Sequence, residues 1–183
     1  MRSRDLIKLL SGETGMPDYS NPKHTVWKNA RGRLHRDFGP ASVRADGSQY
    51  WYRNGELHRE DGPAVVKANG TQYWYRNGVL HREDGPAFEG ASGTQEWYRN
   101  GRLHREDGPA VVEAGGSQYW YRNDRLHRED GPAAVQSDGT REWYRNGKLH
   151  REDGPAVVRP NGLQLWWKNG MIQRSPDSGR YFS

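Results

Sequence analysis

The chain has no cysteine and little apolar material. Without cysteine it has neither disulfide bonds nor thiolate metal ligands, so the redox compartment stays open. Only 32% of its 183 residues are hydrophobic and the mean hydropathy is −1.17, a composition that leans towards disorder. No apolar run approaches the about 18 residues of a membrane span, and residues 1–10 are too charged for a signal peptide. We therefore expect a cytoplasmic protein without a transmembrane segment.

Aromatic residues are the exception to this low apolar content, since the chain has eight tryptophans and ten tyrosines. Each large aromatic side chain buries roughly 150–250 Å², so a thin core can still hold. Six of the tryptophans are spaced by 23 residues, and Trp27 precedes them by 24: Trp51, Trp74, Trp97, Trp120, Trp143 and Trp166. A fixed period of this size indicates a stacked-repeat protein rather than a globule built around one pocket. It favours a binding surface over an enzyme.

Two turn dipeptides recur in each copy of the repeat. The first follows the tryptophan, as in Asn54-Gly55, and the second precedes the next one, as in Asn69-Gly70. Both tolerate the positive φ that tight hairpin turns require. The limb after the first turn is broken by Asp61-Gly62-Pro63, because proline has no ladder donor. The pattern predicts an all-β fold, an elongated meander or solenoid of stacked β-hairpin repeats with about two strands per copy.

The two ends of the chain differ from the repeats and are predicted to act as caps. Residues 1–26 form an N-terminal cap segment, with a short helix from Ser3 to Leu10 that covers the open edge of the first hairpins. Residues 27–170 form the seven-copy array. Residues 171–183 form a C-terminal cap or tail, where the His-Arg-Glu-Asp segment is lost, as terminal repeats require.

The strand around each tryptophan predicts a candidate binding face. The tryptophan never varies, which predicts an inward core residue, whereas the preceding position accepts Glu96 and therefore meets water. Strand alternation places the residue after the tryptophan on that same solvent-exposed face. These aromatics either pack across strands against one another or form a binding platform. They are Tyr52, Tyr75, Tyr98, Tyr121, Tyr144 and Trp167.

The His-Arg-Glu-Asp segment invites a catalytic interpretation, but its repetition argues against one, because an active site is a single constellation. Equivalent histidines about 10 Å apart cannot share a metal ion. We expect Asp61 to hydrogen-bond its own turn, and Arg59 and Glu60 to pair across copies. No catalytic residue, metal or cofactor is therefore predicted. The most divergent internal spot, where Phe88 and Glu89 replace two valines, is a further candidate contact.

The net charge of +5 is concentrated at the two ends of the chain. Residues 1–50 hold nine Lys or Arg and five Asp or Glu, whereas residues 51–158 hold 15 and 17. From these counts we do not expect a continuous basic stripe along the repeats, the footprint of a nucleic-acid groove. Binding of nucleic acid or acidic lipid would instead use the basic ends, for example Arg31, Arg33 and Arg36, and would fall steeply with salt.

The motif Tyr-Trp-Tyr-Arg-Asn-Gly-x-Leu-His-Arg-Glu-Asp-Gly-Pro-Ala gives residues 27–170 a family resemblance. It resembles the MORN-like repeats, with matching positions at Trp74, Asn77, Gly78, His81 and Gly85. It departs from them where Arg and Arg-Glu-Asp-Gly-Pro replace the usual glycine and His-Gly-x-Gly. In this it is similar to variant repeats of predicted phage, giant-virus and bacterial antitoxin-like proteins. The resemblance implies an elongated β-hairpin sheet for protein contacts, or in some members acidic-lipid contacts, and no catalysis.

Together these observations predict a non-catalytic repeat scaffold that binds a partner protein through its aromatic and charged face. If the viral resemblance holds, that partner is a host defence or regulatory protein that the chain blocks. The alternative is a binder of nucleic acid or acidic lipid through the basic ends. Because a sheet edge can pair with a second chain, a monomer and an edge-paired homodimer are both open.

Overall fold

The computed structural model of the protein describes residues 16–21 and 23–175. Over these residues the chain forms β-strands and turns, so the predicted all-β class is confirmed, and no helix there is long and apolar enough to cross a membrane. The predicted helix at residues 3–10 lies outside the described residues. The chain divides into two compact units, Met1–Ala91 and Ser92–Ser183, which are described in turn.

The first unit holds a meandering antiparallel sheet and two small side hairpins. Its strands are β1 (Met16–Asn21), β2 (His24–Lys28), β3 (Ser42–Arg44), β4 (Gln49–Tyr50), β5 (Tyr52–Arg53), β6 (Glu56–Leu57), β7 (Val65–Val66), β8 (Gln72–Tyr73), β9 (Tyr75–Arg76), β10 (Val79–Leu80) and β11 (Phe88–Glu89). The sheet order is β1-β2-β3-β4-β7-β8-β11, and the side hairpins are β5–β6 and β9–β10.

The second unit repeats the same plan. Its strands are β12 (Gln95–Glu96), β13 (Tyr98–Arg99), β14 (Arg102–Leu103), β15 (Val111–Val112), β16 (Gln118–Tyr119), β17 (Tyr121–Arg122), β18 (Arg125–Leu126), β19 (Ala134–Val135), β20 (Arg141–Glu142), β21 (Tyr144–Arg145), β22 (Lys148–Leu149), β23 (Val157–Val158), β24 (Gln164–Lys168) and β25 (Met171–Gln173). The sheet order is β12-β15-β16-β19-β20-β23-β24-β25, with side hairpins β13–β14, β17–β18 and β21–β22.

Each complete copy therefore supplies two strands to the sheet, as predicted, and two more to a side hairpin, which was not predicted. The aromatic strand is interrupted at its tryptophan. In the Trp51 copy, the Trp51 N–H donates to the Ala64 carbonyl (2.8 Å), and the Trp51 carbonyl accepts from the His58 N–H (3.0 Å). Both bonds go to the segment that follows the Asn54-Gly55 turn. The chain leaves the sheet at Trp51, forms the side hairpin β5–β6, and re-enters the sheet at Val65.

The two turn dipeptides both make hairpin turns, as predicted, but with different geometries. Asn54 and Gly55 both have positive φ, 54° and 94°, which defines the primed turn of a two-residue hairpin. At Asp46-Gly47 only the glycine is left-handed (φ 86°), while Asp46 Oδ1 accepts the Ser48 N–H at 2.9 Å. The second turn is thus the longer type, closed by a left-handed glycine after an Asx turn.

The core is thin and consists largely of the alanines that follow each proline. These alanines are 0% exposed: Ala41, Ala64, Ala87, Ala110, Ala133 and Ala156. The prediction that the tryptophans are inward core residues is wrong, because all seven in the repeats are only partly buried. The invariant tryptophan is therefore partly exposed, and it packs against an arginine, as Trp51 does against Arg59.

A row of buried hydroxyls joins successive turns of the sheet. Ser48 Oγ accepts the Ala68 N–H (3.0 Å), and Thr71 Oγ1 accepts the Ala91 N–H (3.2 Å). Ser117 repeats the bond in the second unit, to the Ser137 N–H at 3.2 Å. The hydroxyl satisfies a turn amide 20 residues further along, so one side chain fixes the spacing between two copies.

Candidate functional site

The arginine of each His-Arg-Glu-Asp loop lies over the tryptophan of its own copy. In the Trp51 copy the Arg59 guanidinium is 4.2 Å from the Trp51 ring centroid and donates to Asp61 Oδ1 (3.0 Å) and the Pro63 carbonyl (3.4 Å). The stacked pairs are Arg36–Trp27, Arg59–Trp51, Arg82–Trp74, Arg105–Trp97, Arg128–Trp120 and Arg151–Trp143. This arrangement is a cation–π contact that also closes the loop.

The expected pairing of Arg59 and Glu60 across copies is therefore wrong, because each finds a partner inside its own copy. Arg59 binds Asp61, and Arg53 lies 3.4 Å from Glu60. The Arg59 side chain holds the pKa of Asp61 below its usual value. Gly62 makes room for this arginine, since a Cβ there would lie 3.1 Å from Arg59 Cζ. The loop is a closed local unit, and a Cβ at its glycine would crowd the stacked guanidinium.

Four of the loop histidines, His35, His58, His127 and His150, join one copy to the next. His58 Nδ1 accepts the Asn77 N–H at 3.1 Å, so its other nitrogen, Nε2, must carry the hydrogen when the ring is neutral. That Nε2 is buried, makes no hydrogen bond, and lies 3.5 Å from Glu60 Oε1 in poor alignment. The same bond recurs from Asn54 to His35, from Asn146 to His127 and from Asn169 to His150. These imidazoles have no lone pair left for a general base or a metal ligand.

Consecutive His-Arg-Glu-Asp loops flank a solvent-open groove. In the first unit a groove of about 710 Å³ is lined by residues 35–39 and 58–61 with Trp51, Tyr52 and Arg53. In the second unit the equivalent groove of about 730 Å³ is lined by residues 105–109 and 127–130 with Trp120, Tyr121 and Arg122. A further groove of about 550 Å³ is lined by the loops at 128–132 and 150–153. One site is thus repeated at the period of the sequence.

The rim of each groove is charged with both signs. In the Trp51 copy Glu60 is 73% exposed and Asp61 is 84% exposed, while Arg53 is 59% exposed. The loop of the first groove differs in two residues, since Asp37 stands at the position of Glu60 and Phe38, which is 63% exposed, at the position of Asp61. This groove therefore offers an aromatic anchor where the others offer a carboxylate.

The predicted aromatic stripe is partly buried in the structure. Tyr75 lies against Tyr73 (ring centroids 6.4 Å apart), and Tyr144 donates to Glu142 at 3.1 Å, so the residues before and after each tryptophan do share a face. Burial is the largest cause of the raised pKa of Tyr144, and the nearby Glu142 carboxylate adds to it. Together they raise this pKa to about 12. Burial likewise raises the pKa of Tyr52, Tyr75 and Tyr121. Tyr52 and Tyr121 also line grooves, so cross-strand packing and a contact surface coexist.

The other predicted site residues separate into exposed and structural groups. Arg31 and Arg33 are exposed, whereas Arg36 stacks on Trp27 at 4.1 Å and donates to the Pro40 carbonyl. Phe88 packs on the Tyr73 ring (centroids 5.0 Å apart). Glu89 lies 3.1 Å from Arg82, which itself covers Trp74. Glu89 is thus tied to the loop arginine of its own copy, and Phe88 packs against the strand of the preceding copy.

Charge counting along the sequence misses a basic row at the side hairpins of the second unit. Three successive hairpins place two cations directly opposite each other across the strands: Arg99 and Arg102, Arg122 and Arg125, Arg145 and Lys148. We call these six residues the basic ladder. Comparing one strand position between copies would have revealed it, since the position reads Glu56, Val79, Arg102, Arg125, Lys148 and Met171.

Comparison with known proteins gives no match to any protein-family model or any curated protein. Over residues 16–21 and 23–175, no group of three or more His, Asp or Glu side chains is placed to hold a metal ion. The function must therefore be argued from the grooves and the basic ladder.

Proposed function

We propose that the protein is a non-catalytic repeat scaffold that binds a partner protein through its repeated grooves. The observation that supports this most directly is the recurrence in both units of one groove, lined at equivalent positions by a tryptophan, a stacked arginine and a histidine. Repeat proteins use extended surfaces of this kind to contact partners at several equivalent points.

The chemistry of the grooves suits a protein partner. Arginine, tryptophan and tyrosine, which line them, are the residues enriched at binding hot spots. The Arg59-type stacking and the His58-type bonds hold the loops before a partner arrives, which lowers the entropy lost on binding. The exposed Phe38 gives the first groove an anchor that the other grooves lack. On the resemblance noted above, we propose that the partner is a host defence or regulatory protein.

Affinity capture from a cell lysate tests the proposal. Nuclease-treated lysate is passed over the immobilised full chain at about 50 and about 300 mM salt, and retained molecules are identified by mass spectrometry. Retention of the same protein at both salt concentrations is the expected result. Phe38→Asp, which introduces the carboxylate that the other grooves have at this position, is expected to weaken that retention. Recovery of nucleic acid or acidic lipid alone, and only at low salt, would contradict the proposal.

A second candidate function is nucleic-acid or acidic-lipid binding at the basic end of the first unit. The exposed Arg31 and Arg33 favour it, whereas Arg36 is occupied by Trp27. The variant Arg31→Ser/Arg33→Ser separates the two functions, because it removes charge without disturbing the stacked arginine. Unchanged binding to anionic vesicles and to single-stranded DNA would eliminate the second candidate.

A further inference from the structure

The basic ladder is not required by the hairpins that carry it. Like charges directly opposite each other in a β-pair are destabilising. The equivalent pairs of the first unit avoid this, with Arg53 opposite Glu56 and Arg76 opposite Val79. The same fold therefore accepts an acidic or an apolar residue where the second unit has Arg102, Arg125 and Lys148 in succession.

The cations of the ladder are incompletely neutralised by the protein. Arg99 lies 3.5 Å from Glu106 and Arg122 lies 3.9 Å from Glu129. Among the residues that the structure describes, Arg125 and Lys148 make no salt bridge. The aliphatic stems of Arg125 and Lys148 lie beside the turn glycines of the next copy, Gly147 and Gly170. Both side chains are exposed, so a cation without a carboxylate partner projects from each of two successive hairpins.

The spacing of the ladder defines the shape of its complement. Each copy adds two strands about 4.7–4.9 Å apart, so successive rungs are separated by about 10 Å. An extended peptide in the polyproline II conformation rises about 3.1 Å per residue with three residues per turn, so every third side chain faces the ladder at a spacing of about 9 Å. We propose that the basic ladder of the second unit binds an extended acidic segment of a partner protein, with a carboxylate at about every third residue. This inference rests on the proposed protein-binding function and specifies the chemistry of the partner.

The neighbouring acidic residues favour a peptide over a nucleic acid. Groove carboxylates flank the ladder, with Glu106, 68% exposed, beside Arg99 and Glu129, 73% exposed, beside Arg122. A nucleic-acid strand carries a phosphate at every nucleotide, about 3.4 Å apart along a duplex, and would bring several of these charges against those carboxylates. A peptide places neutral residues between its carboxylates. The stacked arginines also cover one face of the tryptophans, as Arg128 covers Trp120, which leaves less aromatic surface for bases.

A pair of charge-matched variants of the full chain tests the inference. The ladder variant Arg125→Val/Lys148→Val uses the residue that the chain has at Val79. The control variant Arg141→Gln/Arg159→Gln also removes two positive charges, and the chain has glutamine at both equivalent positions, for example at Gln118 and Gln136. Both variants therefore keep residues that this fold already accommodates, and circular dichroism verifies that they fold.

The probe is a fluorescent 15-residue peptide with aspartate at every third position, compared with an asparagine version and a single-stranded DNA of equal charge. Fluorescence anisotropy at about 50 mM salt is expected to show binding to the aspartate peptide alone. The ladder variant is expected to weaken that binding about tenfold and the control variant to leave it unchanged. Absence of peptide binding, equal weakening by both variants, or tighter binding of the DNA would each overturn the inference.

The result is distinguishable from the outcome of the affinity capture. A captured protein that the ladder variant retains as well as the wild type would refute the acidic-segment inference and leave the scaffold function standing. If neither variant nor wild type retained any protein, the scaffold function itself would fail.

Discussion

At the scale of single residues, the repeat is organised by the arginine of its His-Arg-Glu-Asp loop. That arginine covers the tryptophan of its own copy and donates to the carbonyl of the proline that ends the loop. Arginine suits this role because its planar guanidinium stacks on a ring while its edge still donates hydrogen bonds. The carboxylates of the loop are left at the surface as a consequence.

Replacing one such arginine by lysine is expected to destabilise the protein although the charge is kept. Arg105→Lys removes the flat contact with Trp97 (4.1 Å) and the bond to the Pro109 carbonyl (3.2 Å). We expect the free energy of unfolding to fall by about 1–2 kcal/mol, measured by guanidinium denaturation. Arg122→Lys, at an exposed hairpin position, is the control and should change it by less than about 0.5 kcal/mol. Equal effects of the two substitutions would refute the stacked arrangement.

The partly buried tyrosines are expected to ionise late. Burial raises the pKa of Tyr52, Tyr75 and Tyr121, and raises that of Tyr144 to about 12. A raised pKa means that the folded state favours the protonated phenol. This stabilisation is fully present below the unfolded value near 10 and is lost as the pH rises towards 12. Absorbance at 295 nm should show a late-titrating group of tyrosines, and Tyr144→Phe should remove its last member. A single transition near pH 10 would contradict the observed burial.

At the scale of strands and turns, the copies are joined by side chains that satisfy backbone amides of the next turn. The hydroxyl of Thr71 binds the Ala91 N–H in the first unit. Thr140 occupies the equivalent position in the second unit, but the equivalent of Ala91 there is Pro160, which has no N–H. The chain thus contains the same threonine with and without its main-chain partner.

This difference gives a matched test of the hydroxyl row. Thr71→Val leaves the Ala91 amide without its acceptor and is expected to cost about 1–3 kcal/mol of unfolding free energy. Thr140→Val is expected to cost clearly less, since no turn amide loses its acceptor there. Thermal and urea denaturation of both variants provides the measurement. A cost at Thr140 that equals the cost at Thr71 would show that the amide bond is not what stabilises these turns.

The turns were predictable from sequence because their determinants are local. Asn54-Gly55 and Asp46-Gly47 fix their φ angles within the dipeptide itself. The stacking of Arg59 on Trp51 was not predictable from strand alternation, because the chain leaves the sheet at the tryptophan and the loop folds back over it. Two residues that meet only because a loop folds back cannot be predicted from the spacing of residues along a strand. The same reason explains why the tryptophans were wrongly placed in the core.

The candidate site shows the same division. The shared face of Tyr73 and Tyr75 follows from strand alternation and was predicted. The role of His58 as an acceptor for the Asn77 amide depends on how two copies stack, so it could not be foreseen from one copy. The basic ladder was missed because the net charge of a long segment adds positive and negative residues together, whichever strand position they occupy.

At the scale of the whole molecule, keeping the 23-residue repeat period is expected to affect cooperative folding more than the exact number of residues does. Deleting residues 104–126 removes 23 residues from the second unit and joins Leu103 to His127, which preserves every strand register. Deleting residues 104–125, one residue fewer, shifts the following strands by one position and turns their side chains to the opposite face. We expect the first deletion to keep cooperative unfolding with a lower midpoint, and the second to lose it. Similar behaviour of the two deletions in circular dichroism would contradict the repeat register.

The most direct test of partner binding at the grooves is hydrogen–deuterium exchange of the protein with and without the captured partner. We expect slower exchange in the groove loops at residues 58–61, 105–109 and 127–130 and in the hairpins that carry the basic ladder. Protection confined to the sheet turns, for example residues 113–117, or to the basic segment at residues 28–33, would show that the partner binds elsewhere and would contradict the proposed site.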